Sequence, residues 1–172
     1  RFGPVAVREA SYGLETFSPG QNADLDDCSY MDLGDLELPF GDPSPALDAV
    51  EKTASKILAE GRVPFMLGGE HLMSLGAVRA AAKLHPGLTV VHIDAHADLR
   101  EDYLGARLSH ATVMRRVYEL LESDSLCQIG VRSCTRDESA LVNELNTIPE
   151  RVALKTGERP CYLSCDLDVL DP

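Results

Sequence analysis

The sequence has few basic residues, no long apolar run and no secretory signal pattern, and each absence excludes a class of protein. Its 16 Lys and Arg residues are outnumbered by 28 Asp and Glu residues, which gives a formal charge of −12 at pH 7. This balance argues against nucleic-acid binding through a basic patch. No apolar run approaches the roughly 20 residues that a membrane span requires. We therefore expect neither nucleic acid nor a membrane as a partner.

The cysteines also lack a pattern, because none of the five belongs to a CxxC pair and their number is odd. Cys127, Cys161 and Cys165 lie in or beside apolar runs, where a free thiol behaves as a small hydrophobe. Reduced thiols of a cytoplasmic protein fit this usage better than a disulfide framework. We therefore predict a cytoplasmic protein without a catalytic cysteine.

The length of 172 residues favours one domain over 1–172 that can bury a substantial core. The sequence has no initiator Met, and it stops at Asp171-Pro172, directly after a polar cluster. We therefore expect a domain that is truncated at both its N-terminus and its C-terminus.

Helical periodicity and short apolar runs alternate along most of the chain. Helices are predicted over about 4–16, 44–61, 72–84, 109–122 and 137–145, and strands over 30–36, 63–67, 88–93, 126–131 and 161–165. Residues 18–28 are predicted to form a loop, and Ser44 is predicted to cap the second helix. The strands are continuously apolar, which indicates burial on both faces. This alternation predicts an α/β fold with a mostly parallel sheet that is covered by helices.

Polar clusters follow three of these predicted strands. Ligands collect at the carboxyl ends of strands in open parallel sheets. An isolated carboxylate that loses its water there is costly, so the clusters indicate that cations compensate their charge. The candidate metal ligands are His71, Asp94, His96, Asp98, Asp166 and Asp168.

The donor types indicate which metal these residues bind. A carboxylate has two oxygens and can bridge two ions, whereas an imidazole offers one neutral nitrogen. Four Asp and two His therefore suit two divalent ions that share carboxylates, and this oxygen-rich set favours Mn²⁺ over Zn²⁺. If the backbone of 94–98 stays extended, its three polar side chains point the same way. Alternatively, each cluster taken alone is a polar loop or a strand-end turn.

The remaining histidines differ in their surroundings. Ser109 is predicted to cap a helix, which places His110 at the helix start near the metal ligands, where it suits proton transfer at neutral pH. The alternative for His110 is an exposed residue in the first helical turn. His92 lies inside a strand and is predicted to be a core histidine. Glu70 either lies close behind the metal ligands or marks the start of a helix.

The sequence around these residues resembles the ureohydrolase family of arginases and agmatinases. The resemblance is carried by LGGEHLMSLGAVRA, VVHIDAHADLREDYLG, LSHATVMRR, IGVRS and YLSCDLDVLDP. It implies a three-layer α/β/α fold of the arginase type, here incomplete at both ends. It also implies two Mn²⁺ ions and hydrolysis of a guanidinium to urea and an amine by a metal-bridging hydroxide. The LSHATVMRR stretch is more similar to bacterial agmatinases than to arginases.

The resemblance also implies a role for each candidate residue. It divides the six metal ligands into one pair for each ion and one bridging pair: His71 with Asp98, His96 with Asp168, and Asp94 with Asp166. His110 matches the proton-transfer histidine of the family. The resemblance places the glutamate that is expected to orient the guanidinium beyond Pro172, and the segment 134–159 looks shorter than the family pattern.

The resemblance by itself does not select one substrate. Agmatine, which would yield putrescine, is favoured, and the alternatives are guanidinobutyrate, proclavaminate, formiminoglutamate or arginine. A non-catalytic metal-binding relative, or an inactive fragment, is the alternative from a different class. The family likeness implies a small cationic guanidino substrate and a homo-oligomer, either a trimer or a hexamer.

Overall fold

The structure is a computed structural model, and it describes residues 2–121, 124–145, 152, 156–157 and 159–170. Two compact units are present: Arg1–Glu37 with Met66–Gly69, and Leu38–Phe65 with Glu70–Pro172. The end of the helix predicted to reach residue 122, and much of the segment 134–159, lie outside the described residues. That the whole chain is a single domain stays a prediction.

The smaller unit contains one helix and a short hairpin. Helix α1 spans Gly3–Ser11, and strands β1 (Phe17–Ser18) and β2 (Ala23–Asp24) pair in antiparallel fashion. The helix predicted to reach Thr16 therefore ends earlier, where the Ser11 hydroxyl donates to the Arg8 carbonyl at 2.8 Å. A hydroxyl that bonds the backbone locally in this way competes with helix propagation.

Residues 30–36 form no strand, so that prediction was wrong. Gly34 has a φ of +76°, which a strand residue does not adopt, and its N–H donates to Asp32 Oδ1 at 2.8 Å. The Arg8 guanidinium pairs with the same carboxylate, with Nε 2.6 Å from Asp32 Oδ2. This hydrogen bond and charge lower the pKa of Asp32. A local turn and an ion pair thus replace the ladder bonds of a strand.

The larger unit is built on a parallel sheet. Its strands are β3 (Thr89–Ile93), β4 (Leu126–Ile129) and β5 (Cys161–Cys165), in the order β4-β3-β5. In register, Val91 lies between Cys127 and Leu163. The prediction of an α/β fold with a parallel sheet is confirmed, and these three strands match three of the predicted ones.

Burial on both faces holds for β3 and β4 but not for β5. Every residue of β3 except Ile93 is buried, whereas Cys161, Leu163 and Cys165 are exposed, and Leu163 keeps 61% of its surface. Strand β5 is at an edge of the described sheet, and no described element covers the face that these three side chains share. Of the three cysteines expected in apolar surroundings, only Cys127 is buried.

The strand predicted over 63–67 is also absent. Val63 and Phe65 keep 89% and 88% of their surface exposed. A strand exists through hydrogen bonds to a neighbour, and 63–67 pairs with none of the described strands, whose sheet has the order β4-β3-β5. The prediction of a strand over 63–67 was therefore wrong, because an apolar pattern cannot specify a partner strand.

The helices of this unit agree with the sequence except at their ends. They are α2 (Pro43–Ala59), α3 (Ser74–Leu84), α4 (Val113–Leu120) and α5 (Ser139–Leu145). Short 3₁₀ turns, His71–Met73 and His110–Thr112, precede α3 and α4. Asp42 rather than Ser44 caps α2, because its carboxylate accepts from the Ser44 N–H at 2.9 Å. No helix in the described ranges has the length and apolar character needed to cross a membrane.

The core forms where α2, α3 and α4 meet the sheet. It contains fully buried Leu47, Val78, Val90, Val117 and Leu126. Helices α2 and α3 approach closely at Gly76, where an added Cβ would lie 2.7 Å from the Leu47 carbonyl oxygen. This contact seats α3, and therefore the His71–Met73 turn before it, against the rest of the core.

We predict that Gly76→Ala destabilises the full-length protein by about 1–3 kcal/mol, because the added methyl overpacks the α2–α3 contact. In an uncrowded helix the same change would be favourable. Urea unfolding measures the effect. Gly20→Ala is the control, since no atom lies within 4 Å of an added Cβ there. Equal stability of Gly76→Ala and the parent protein would contradict the close packing.

Candidate metal centre

Two turns meet beyond the carboxyl ends of neighbouring strands. Asp94 directly follows β3, and Asp166 directly follows β5. The Asp166 N–H donates to the Ile93 carbonyl at 2.8 Å, and the Asp94 N–H donates to the Ile129 carbonyl at 3.1 Å. The sheet register therefore continues past the strands and sets the two carboxylates beside each other. His71 joins them from the turn that precedes α3.

The first group of side chains gathers around His71. Its Nδ1 lies 3.0 Å from Asp98 Oδ2, 3.4 Å from Asp94 Oδ2 and 4.0 Å from Asp166 Oδ2. Its other nitrogen, Nε2, contacts Ser164 Oγ at 3.0 Å. A lone pair on Nδ1 would repel these carboxylate oxygens, so a proton or a cation must lie between them.

The pKa of His71 reflects this surplus of negative charge. Burial by itself would lower the pKa of the imidazole, because it disfavours the charged form. The hydrogen bond and charge of Asp98, together with the charges of Asp94 and Asp166, outweigh burial and raise the pKa above its ordinary value. The pocket therefore favours positive charge at Nδ1.

The second group gathers around His96. Its Nδ1 lies 2.9 Å from Asp168 Oδ2 and 3.5 Å from Asp94 Oδ1. The His96 and Asp168 side chains keep about half of their surface exposed, at 54% and 44%. Asp94 thus presents Oδ2 to the first group and Oδ1 to the second. It is the residue that both groups share.

Asp94 is buried, yet it is held as a carboxylate. Burial alone would raise the pKa of Asp94. The hydrogen bonds from His92, at 2.9 Å, and from the His96 N–H, at 2.6 Å, outweigh burial and lower that pKa. The charged form is therefore the stable one, as a metal ligand requires.

The backbone between the two groups is not extended, which corrects that part of the sequence expectation. Asp98 has a φ of +53°, in the left-handed region that non-glycine residues seldom adopt. Its carbonyl accepts from the Met114 and Arg115 N–H groups at 3.0 and 3.1 Å. The next N–H, of Leu99, donates to the buried Glu138 Oε1 at 2.9 Å. These bonds on both sides hold the strained turn, and the turn directs Asp98 towards His71.

Arg132 anchors the turn that carries Asp168. Its guanidinium donates to the carbonyls of Asp168, at 2.7 Å, and Val169, at 3.2 Å. The Asp168 N–H donates to Asp166 Oδ1 at 3.1 Å, and Asp168 Oδ1 accepts from the Ala95 N–H at 3.2 Å. The segment that follows β4 therefore positions the turn that follows β5.

His110 lies at the start of the turn before α4, as predicted. The Ser109 N–H donates to Thr112 Oγ1 at 3.0 Å, in the capping arrangement expected of this residue. The His110 ring lies 5.2 Å from the ring of Tyr103, and its Nδ1 is 4.0 Å from Glu70 Oε1. Glu70 marks the start of the His71–Met73 turn before α3, because its carboxylate accepts from the Leu72 N–H. The His110 side chain keeps about half of its surface exposed, so its ring is accessible from solvent.

Sequence reasoning missed several supporting residues. His92 is buried as predicted, but it also bonds Asp94, and Ser164 contacts His71. Each precedes a candidate ligand by two positions on its strand, so alternation was the signal that could have identified them. Arg132 and Glu138 act across long sequence separations, and no local pattern marks them.

The donor set fits the metals expected from the sequence. Among the described residues, candidate ligand atoms form two groups, and the atoms within each group lie no more than 4.8 Å apart. The groups are His71, His92, Asp94 and Asp98, and Asp94, His96 and Asp168. Asp166 lies at the margin of the first group. Carboxylate oxygens outnumber imidazole nitrogens, which suits Mn²⁺ or a similar hard-to-borderline cation.

Comparisons with known proteins identify the family. A model described as Arginase family matches residues 1–172. The agmatinase of Halalkalibacterium halodurans is 41% identical over 181 residues, which cover 100% of this chain and 63% of that protein. A guanidinobutyrase of Pseudomonas aeruginosa is 31% identical over 192 residues, covering 100% of the chain and 60% of that protein. The chain thus spans less than two thirds of the length of these relatives.

A solved structure supports the same conclusion. A crystal structure from Clostridium difficile superimposes with a TM-score of 0.94 at 37% identity, and the match covers 99% of this chain and 65% of that one. The α/β fold, the clusters of candidate metal ligands and the family match over residues 1–172 agree. The chain belongs to the arginase family, and the predicted arginase-type fold is confirmed.

We predict that Gly130→Ala weakens Mn²⁺ binding at the His96 side of the centre in the full-length protein. An added Cβ would lie 2.6 Å from Val169 Cγ2, and it would displace the turn that carries Asp168. Titration of Mn²⁺ by electron paramagnetic resonance measures the loss.

Gly87→Ala is the matched control for this prediction. Gly87 has a φ of +77°, close to the +86° of Gly130, but no atom lies within 4 Å of an added Cβ. Both variants carry the left-handed penalty of about 1–2 kcal/mol. Only Gly130→Ala should also lose metal, and equal Mn²⁺ affinity in the two would contradict the role of Gly130.

Proposed function

We propose that the protein is a ureohydrolase that uses two Mn²⁺ ions to cleave the guanidinium of agmatine to urea and putrescine. The observation that carries this proposal is the pair of His-carboxylate groups that share Asp94, with one oxygen facing each histidine. Membership of the arginase family and 41% identity to an agmatinase support it.

The proposal assigns ligands by the same geometry. One ion would be held by His71 and Asp98, and the other by His96 and Asp168. Asp94, which belongs to both groups, would be a ligand that the two ions share. Asp166 would be the second shared ligand. Its Oδ2 lies 4.0 Å from His71 Nδ1, and its Oδ1 accepts from the Asp168 N–H at 3.1 Å.

A guanidinium needs such a site because it is a poor electrophile. Its charge is delocalised over three nitrogens, and it does not deprotonate near neutral pH. When bound, the two cations would supply Lewis acidity and a water-derived nucleophile at neutral pH. The chain's own contribution is to hold the guanidinium by carboxylates that accept charge-assisted hydrogen bonds from its N–H groups. His110, half exposed and beside Glu70, would protonate the leaving nitrogen.

The charge of the chain suits a cationic substrate. The formal charge is −12, and two divalent ions would reduce it to about −8, still acidic enough to attract agmatine. Carboxylates that line the centre give the same preference locally. Substrates with a distal carboxylate, such as guanidinobutyrate, are attracted less by this negative charge, because their own carboxylate is repelled by it.

Two other functions remain in competition. The first is hydrolysis of another ureohydrolase substrate: guanidinobutyrate, proclavaminate, formiminoglutamate or arginine. The 31% identity to a guanidinobutyrase supports guanidinobutyrate as one of these alternatives. The second is a non-catalytic metal-binding relative or an inactive fragment. Intact candidate ligands and His110 argue against the second. A cytoplasmic location, a role in polyamine biosynthesis and a homo-oligomer of three or six subunits are part of the proposal.

We predict that the full-length protein, loaded with Mn²⁺, releases urea from agmatine faster than from arginine or 4-guanidinobutyrate. Comparison of kcat/KM values for the three substrates tests the preference. A higher value for 4-guanidinobutyrate would transfer the assignment to that substrate. The absence of urea from all three, with two Mn²⁺ bound, would favour the non-catalytic alternative.

We predict that the ligand variants separate by metal content. Asp94→Asn and Asp166→Ala should lose both ions, because each removes a bridge, whereas Asp98→Asn should retain one. His110→Asn should retain both ions and lower kcat by about 10²- to 10⁴-fold, the usual contribution of a general acid. Metal analysis after dialysis gives the stoichiometry.

Asp48→Ala, an exposed aspartate on α2, is the control for loss of one carboxylate. It should retain two ions and full activity. Full occupancy in Asp166→Ala would exclude the bridging role of that residue.

A further inference from the structure

A buried chain of hydrogen bonds runs from the sheet to the shared carboxylate. His92, in β3, is fully buried, and its Nε2 lies 2.9 Å from Asp94 Oδ2. Its Nδ1 lies 2.9 Å from Nε2 of Gln128, which is fully buried in the neighbouring strand β4. The same Gln128 nitrogen lies 2.7 Å from the Ala97 carbonyl oxygen.

These contacts determine which nitrogen of His92 carries the proton. The Ala97 carbonyl can only accept, so the amide nitrogen of Gln128, not its oxygen, must face it. That nitrogen has a second hydrogen, which it donates to His92 Nδ1. Nδ1 is therefore an acceptor, and the proton of the neutral imidazole is on Nε2, from which it is donated to Asp94 Oδ2.

The Gln128 oxygen supports this orientation. Among the described residues, Gln128 Oε1 has no hydrogen-bond partner although it is buried. A buried, unpaired carbonyl oxygen costs free energy. This orientation of the Gln128 amide is retained because its two N–H groups donate to the Ala97 carbonyl and to His92 Nδ1. A flipped amide would set two oxygens against each other at Ala97.

The result is a carboxylate whose two oxygens are both held. Oδ2 accepts from His92, and Oδ1 accepts from the His96 N–H at 2.6 Å. The plane of the Asp94 carboxylate is thereby set, with Oδ2 towards His71 and Oδ1 towards His96. A carboxylate that must bridge two cations depends on this orientation, since rotation by a fraction of a turn would release one of them.

We propose that His92, held by Gln128, is a positioning residue that orients Asp94 as the bridge between the two metal ions. The inference rests on the proposed function, because Asp94 must be a metal ligand for its orientation to matter. His92 lies near enough to the first group to be a candidate ligand itself. Its hydrogen bonds exclude that role, because Nδ1 accepts from Gln128 and Nε2 donates to Asp94.

The test compares two replacements of His92 in the full-length protein. His92→Gln keeps an amide N–H near the position of Nε2, whereas His92→Phe keeps the ring and removes the donor. We expect His92→Phe to raise the Mn²⁺ dissociation constant by about 10- to 100-fold, as loss of such partners usually does. His92→Gln should stay within about 3-fold of the parent, since its donor is retained. Equilibrium dialysis and electron paramagnetic resonance of the coupled Mn²⁺ pair provide both readouts without activity.

Thr89→Val is the matched control for a buried change in the same strand. Among the described residues, the buried Thr89 hydroxyl has no hydrogen-bond partner, and it does not touch the cluster. Its removal should leave Mn²⁺ affinity unchanged. Urea unfolding of the metal-free variants separates loss of stability from loss of metal.

Gln128→Leu gives an independent measurement if His92→Phe fails to fold. It should weaken Mn²⁺ binding in the same direction, because the proton can then move to Nδ1. Combined with His92→Gln, the Gln128→Leu change should add little, since Gln128 acts through the histidine ring. If the losses of Mn²⁺ affinity in the two single variants added up in the double variant, Gln128 would not act through His92, and the inference would be overturned.

The outcomes separate this inference from the proposed function. A parent protein that binds no Mn²⁺ would overturn the function and, with it, the inference. A parent that binds two ions, with His92→Phe binding them equally well, would overturn the inference alone. Equal losses in His92→Gln and His92→Phe would show that the retained N–H donor does not orient Asp94, and would also overturn the inference.

Discussion

The repulsion among carboxylates at one edge of the sheet is the constraint on which the rest of this structure depends. Asp94, Asp98 and Asp166 all direct an oxygen towards the single nitrogen His71 Nδ1, within 4.0 Å. Such a cluster is stable only with positive charge among its members. The hydrogen bonds that Asp94 accepts lower its pKa and so favour its ionised form. The fold therefore maintains an arrangement that is costly without cations and favourable with them.

The surrounding structure holds this charge by backbone and buried side-chain contacts rather than by packing alone. The turn of Asp98 is held by the first N–H groups of α4 and by Glu138. The turn of Asp168 is held by Arg132, and Asp94 is held by His92. Each candidate ligand turn is thus attached to a different element. Preorganisation of this kind is how a protein fixes metal geometry before the metal arrives.

The fold could be predicted where neighbours in sequence decide the outcome. Strands β3 and β4 and helices α2 to α5 follow from local periodicity, and they are found close to their expected bounds. The strands predicted over 30–36 and 63–67 are absent. Strand formation depends on a hydrogen-bonded partner, which the pattern of a single segment cannot specify. The exposure of Leu163 has a similar cause, since burial of an apolar strand depends on what covers its face.

The sequence by itself determined the residue types of the site and their places at strand ends, because motif spacing and strand order are local properties. Only the tertiary structure decided which oxygen faces which histidine, the left-handed turn at Asp98, and the direction in which His92 donates its proton. These features arise from contacts between strands and helices that are distant in sequence. Hydrogen bonds have direction, and direction becomes defined only when both partners are in place.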